Sequence, residues 1–63
     1  MREGKIKFFR ESKGFGFVLD EDTQKEHFVH ISGLIDAVKA DERVSFELEQ
    51  GKRGLMAVNV KLI

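Results

Sequence analysis

The chain contains no cysteine, which excludes disulfides, thiolate nucleophiles and cysteine-ligated zinc or iron–sulfur centres, and leaves packing as the source of stability. It also lacks tryptophan, tyrosine and proline, and its aromatic rings are six phenylalanines and two histidines. Formal net charge is zero, from 11 basic and 11 acidic side chains, and this argues against a strong nonspecific binder of polyanions. The apolar run around Met56 to Val58 is far too short to span a bilayer or form a signal-peptide core. A cytoplasmic protein with no membrane partner is therefore expected. Sixty-three residues suffice for one small domain, read here as residues 1–63, and leave little room for a deep enzyme cleft or a small-molecule substrate. Hydrophobic residues at 41% and charged residues at 35% place the chain among those that fold.

The neutral total conceals a segregation of charge. Residues 1–18 carry five basic and two acidic side chains, net +3; residues 19–42 carry two and seven, net −5; residues 43–63 carry four and two, net +2. Two basic ends thus flank an acidic middle, consistent either with one basic face or with a mixed, solvated surface.

Strand patterns dominate. Gly4 to Arg10 alternates around Ile6 and then sets Phe8 beside Phe9, which places one ring in the core and the other on the wet face, with room for a bulge between them. Glu11-Ser12-Lys13-Gly14 reads as a turn. Phe15, Phe17 and Leu19 then share one face of a second strand, opposite Gly16 and Val18. Asp20 to Glu26 reads as an exposed hairpin loop, and His27 to Ile31 as a third strand, with Phe28 and His30 facing one way and Val29 and Ile31 the other. Ser32 is an N-cap candidate for a short 3₁₀ turn, followed by a polar connection from Lys39 to Glu42. Arg43 to Gln50 alternates with Val44, Phe46 and Leu48 inward, and Gly51-Lys52-Arg53-Gly54 is a turn. Met56, Val58, Val60 and Leu62 form the inward row of a last strand. Five short strands with almost no helix predict an all-β, five-stranded antiparallel barrel with at most a short 3₁₀ turn, since closure removes exposed sheet edges.

Ile6, Phe9, Val18, Val29, Val44, Phe46, Leu48, Met56, Val58, Val60 and Leu62 are enough to fill such a barrel. Phe8, Phe15, Phe17, Phe28 and His30 remain, and strand parity can align them on one face. Clustered exposed rings call for a partner. Bases stack on such rings with little sequence preference at roughly 1–3 kcal/mol each, and Lys5, Lys7, Arg10 and Lys13 lie beside the rings in sequence, within reach of phosphates. The alternatives are a larger core, or a protein-interaction barrel that uses the same aromatic face.

The residues resemble a known family at this point. Lys13-Gly14-Phe15-Gly16-Phe17-Val18 looks like the first ribonucleoprotein motif and His27-Phe28-Val29-His30-Ile31 like the second, in the order and separation typical of cold-shock proteins. Gly4-Lys5-Ile6-Lys7-Phe8-Phe9 resembles that family's first strand, and Arg53-Gly54 with Ala57, Asn59 and Val60 its last. The resemblance implies an OB-fold barrel whose second and third strands bind single-stranded DNA or RNA. It makes Phe15, Phe17, Phe28 and His30 the stacking platform and sets Phe8 where the family usually has tryptophan. Lys7 and Lys13 match basic positions near the phosphates, Arg10 stands where asparagine is common, and Arg53 belongs to the last-strand match. An RNA chaperone or regulator of transcription or translation, probing RNA as a monomer without cofactor, is the expected function. The chain departs from the family at Ile31, which replaces a usual aromatic and which parity turns inward. It departs again in the short connection from Ser32 to Arg43, which has no aromatic, and at Leu55, which takes a usual proline position.

Other chemistries find no support. His27 and His30 stand three apart on a strand and face opposite ways, so they do not share a metal. Asp20-Glu21-Asp22 lacks the spacing and turn glycine of a calcium loop. Gly14-Phe15-Gly16 is no dinucleotide fingerprint, and no serine or carboxylate is set against a histidine for catalysis.

Overall fold

The computed structural model describes residues 2–51 and 54–63. Among the described residues, five strands, β1 (Arg2–Arg10), β2 (Phe15–Asp20), β3 (Glu26–His30), β4 (Arg43–Gly51) and β5 (Gly54–Leu62), close into a barrel in the order β1-β2-β3-β5-β4, with one 3₁₀ turn at Ile31–Gly33. This is the all-β OB-type barrel anticipated from the strand pattern, with one correction. The β3–β5 pair is parallel, Phe28 opposite Met56 and Val29 opposite Ala57, so the sheet is mixed. The long return from β3 through the 3₁₀ turn, extended by a parallel bridge between Leu34 and Val60, makes that pairing possible.

Two bulges decide which residues face inward. In β1, Ile6 pairs with Val18 but Phe8 pairs with Phe17, so the extra residue is Lys7, one position before the Phe8–Phe9 step where a bulge was anticipated. The slip lets Ile6 and Phe9, three apart, both pack inward and turns Phe8 onto the outer face. Gly16 accommodates the approach of β1 here, because a Cβ on it would collide with the Phe8 carbonyl oxygen and the Phe9 ring. In β5, Ser45 pairs with Lys61 and Glu47 with Val58, and Asn59 adopts φ 53° at the extra position.

The second bulge corrects the anticipated inward row. Ala57 and Val60 are buried, Met56 and Val58 are half-buried on the outer face, and Leu62 is exposed. The core consists of Ile6, Val18, Val29, Val38, Val44, Phe46, Ala57 and Val60, with Phe9, Leu34 and Leu48 packed against it. Val38 comes from the connection between the 3₁₀ turn and β4, which plugs the barrel rather than merely joining two strands.

The hairpin between β2 and β3 is exposed from Glu21 to Glu26, as its charge suggests, but Asp20 at its base is fully buried. Its Oδ1 accepts from the backbone N–H groups of Asp22 (2.8 Å) and Thr23 (3.4 Å), and its Oδ2 pairs with Arg2 Nη1 at 3.0 Å. The buried His27 Nε2 lies 3.5 Å from the same Oδ2 without completing a hydrogen bond. At the same end, Arg43 bridges Glu3 (3.2 Å) and Glu21 (3.0 Å). Two acidic side chains of the middle segment, Asp20 and Glu21, are thereby paired with Arg2 and Arg43. Among the described residues, no helix is long and apolar enough to cross a membrane.

Candidate nucleic-acid interface

The registers of β1, β2 and β3 sort the outward side chains into rows across the strands. Phe8 pairs with Phe17, and Phe17 with Phe28; one step along, Arg10 pairs with Phe15, and Phe15 with His30. A third row runs Lys5, Leu19, Glu26. The four phenylalanines form a continuous surface: Phe8 and Phe17 have centroids 5.5 Å apart, Phe17 and Phe28 meet edge to face at 6.0 Å, and Phe15 and Phe28 lie nearly parallel at 5.9 Å. These spacings fall within the attractive range for aromatic pairs, so the rings hold one another in place while remaining partly accessible. Phe8, Phe15, Phe17, Phe28 and His30 thus occupy one face.

Met56 was assigned to the core, yet it pairs with Phe28 and carries the first row onto β5. No sequence signal marks it, because its position depends on the parallel pairing. Ile31, turned inward by strand parity, is instead 48% exposed, since β3 ends at His30 and the chain enters the 3₁₀ turn. Its N–H donates to the Gly14 carbonyl at 2.9 Å, which ties the β1–β2 turn to the end of β3. Gly14 itself sits at φ 73°, where a side chain is strained. The 3₁₀ turn is capped by the His30 side chain rather than by Ser32, whose N–H it accepts.

The cations surround the rings unevenly. The Arg10 guanidinium lies 5.7 Å from the Phe8 centroid, a cation–π contact. Lys13 joins Phe15, Phe28 and His30 around an open cleft of about 370 Å³. Lys5, Lys7, Leu19, Glu26 and Asp41 border a second recess of about 300 Å³ at the other end of the platform. There Lys7 Nζ donates to Glu26 Oε2 at 2.6 Å, so Lys7 already has an internal counterion. Arg53 lies outside the described residues. The three-residue clusters of histidine or carboxylate that a metal requires do not occur among the described residues.

The Lys7–Glu26 pair is exposed, and such pairs contribute only about 0–1 kcal/mol. Glu26→Gln is therefore expected to leave the fold intact and release Lys7. Affinity for a labelled oligothymidine should rise a fewfold at low salt, and the slope of log K against log salt should steepen by up to about 0.7. Anisotropy titrations at several salt concentrations would check this, and an unchanged slope would place Lys7 off the phosphate path.

A closed five-strand barrel with rings and cations gathered on the β1–β2–β3 face is an OB-fold of the kind that binds nucleic acid. The model of the 'Cold-shock' DNA-binding domain matches residues 2–63. The chain is 40% identical over 65 residues to the cold shock-like protein CspC of Shigella flexneri, spanning 97% of this chain and 94% of that protein. It is 42% identical over 62 residues to the cold shock-like protein CspE of Escherichia coli K12, spanning 92% and 90%. The chain belongs to the cold-shock domain family, and is a nucleic-acid-binding protein rather than an enzyme.

Proposed function

We propose that the protein binds single-stranded RNA or DNA by stacking unpaired bases on Phe8, Phe15, Phe17, Phe28 and His30, and acts as a monomeric RNA chaperone that influences transcription or translation. The supporting observation is the pair of rows, Phe8–Phe17–Phe28 and Arg10–Phe15–His30, on one accessible sheet face. Lys5, Lys7, Arg10 and Lys13 border that face and serve the phosphates; Arg53 enters by its match to the family's last strand. A base held against a ring is unavailable for pairing, so binding free energy opposes hairpin formation and no ATP is required. With Ile31 at an aromatic position and no ring in the 32–43 connection, the stacks are few and exchange should be fast.

A short RNA hairpin carrying a fluorophore and a quencher tests this. Wild-type protein should open it without ATP in proportion to concentration, and the double variant Phe15→Ala/Phe28→Ala should not. A folded double variant that opens the hairpin equally well would overturn the mechanism. Recovery of a nuclease-resistant, stoichiometric protein partner by a chain that binds no oligonucleotide would point instead to a protein-interaction barrel.

A further inference from the structure

We infer that His30 contributes more than a stacking plane: Ser32 fixes its imidazole as an Nε2–H donor, which takes an acceptor oxygen of the bound strand. This rests on the stacking reading above and adds a direction to it. His30 ends β3 and caps the 3₁₀ turn. The Ser32 backbone N–H lies 3.2 Å from His30 Nδ1, and Ser32 Oγ lies 2.9 Å from the same atom. A backbone N–H can only donate, so this contact selects the form in which Nδ1 is the unprotonated, accepting nitrogen and the ring proton sits on Nε2. The Ser32 hydroxyl, 2.9 Å from the same nitrogen, shares that nitrogen's one lone pair in a bifurcated contact, and two contacts from one residue also restrain ring rotation.

The remaining polar atom of the ring is therefore a donor at the cleft that His30 lines with Lys13, Phe15 and Phe28. That lining holds an ammonium group, an imidazole N–H and two apolar rings, with no carboxylate among them. It suits an acceptor flanked by a base plane. A single strand offers phosphate oxygens, base carbonyls and ring nitrogens; the Lys13 ammonium beside the ring favours an oxygen, from either a phosphate or a base carbonyl. A phenylalanine at position 30 would preserve the plane and lose the donor, which separates the two contributions.

Two measurements on the full chain decide the matter. A two-bond proton–nitrogen spectrum of the histidine rings should show His30 as the Nε2–H tautomer; the Nδ1–H form or a mixture would overturn the assignment. Anisotropy titration of labelled oligothymidine should show His30→Phe binding about three- to tenfold more weakly than wild type, and His30→Ala more weakly still, with circular dichroism melts confirming that both fold. If His30→Phe binds as wild type does while His30→Ala is impaired, the donor role is wrong and stacking stands. If Phe15→Ala and Phe28→Ala also bind as wild type does, the stacking reading itself fails. A His30→Phe defect of equal size on oligothymidine and on oligodeoxyadenosine, whose base acceptors are ring nitrogens rather than carbonyls, points to phosphate; a defect confined to oligothymidine points to the base carbonyl.

Discussion

Phe28→Ala is expected to weaken oligothymidine binding by roughly 5- to 150-fold, corresponding to about 1–3 kcal/mol for a lost stack, while the protein stays folded. Phe28 is the ring where the two rows meet: it stacks on Phe15, meets Phe17 edge to face and pairs with Met56 on β5. Removing it takes away a plane and loosens its neighbours, so the effect should exceed that of Phe8→Ala at the edge of the row. The ring lies outside the barrel, and the filling by Phe46, Ile6, Val18, Val29, Val44 and Val60 is untouched. Phe46→Ala gives the contrast. Truncating a fully buried phenylalanine costs about 3–5 kcal/mol, a large share of the roughly 3–9 kcal/mol a chain this size commands. Anisotropy at two salt concentrations, paired with circular dichroism melts because no tryptophan is present to report, separates the cases. A folded Phe28→Ala that binds as tightly as wild type would remove stacking from the account.

How much of this was legible beforehand can be judged at particular residues. Strand parity alone placed Phe15 with Phe17 and Phe28 with His30, since alternation survives wherever pairing is regular. Phe8 needed the bulge at Lys7, which parity hinted at through two adjacent rings without locating it. The β5 row failed for the same reason in reverse: asparagine tolerates a positive φ, but nothing else in Ala57-Val58-Asn59-Val60 announces that Asn59 adopts one and brings residues 57 and 60 to one side. The parallel β3–β5 pair depends on the path of residues 31–42, where propensity is silent and tertiary packing of Leu34 and Val38 decides. The cap went to His30 because a side chain ending a strand can reach forward to the next turn, which a residue-type preference for serine does not anticipate. Segregated charge left both a basic face and a mixed, solvated surface open. That Glu26 would occupy Lys7 was not visible, because the contact joins β1 to β3 across 19 positions of sequence.

Asp20 was the largest misreading, and it carries the second large effect. Read as part of a solvated tip, it is instead the buried tie between β1 and the hairpin turn, receiving two backbone N–H groups and the Arg2 guanidinium. Burial by itself would raise the pKa of its carboxyl; the N–H bonds from Asp22 and Thr23 and the charge of Arg2 outweigh it, and the net direction is below the ordinary 3.8. A carboxyl with a depressed folded-state pKa adds stability that is fully present above the unfolded value and is lost as pH falls through the folded one. The wild-type melting temperature should therefore decline as pH drops from about 5 toward 3. Asp20→Asn, which keeps an acceptor oxygen but no charge, should show a smaller decline from a lower starting point. Asp20→Ala leaves two N–H groups and a cation without their partner, and is expected to destabilise by about 2–4 kcal/mol, or on the order of 10–20 °C in Tm for a chain of this length. The tie sits at the opposite end of β2 from Phe15, so oligothymidine affinity of either variant, measured well below its melting point, should match wild type. A variant with normal thermal stability and acid sensitivity would contradict the tie, whereas a folded variant with impaired binding would show that the hairpin and the aromatic face are coupled through β2 and β3.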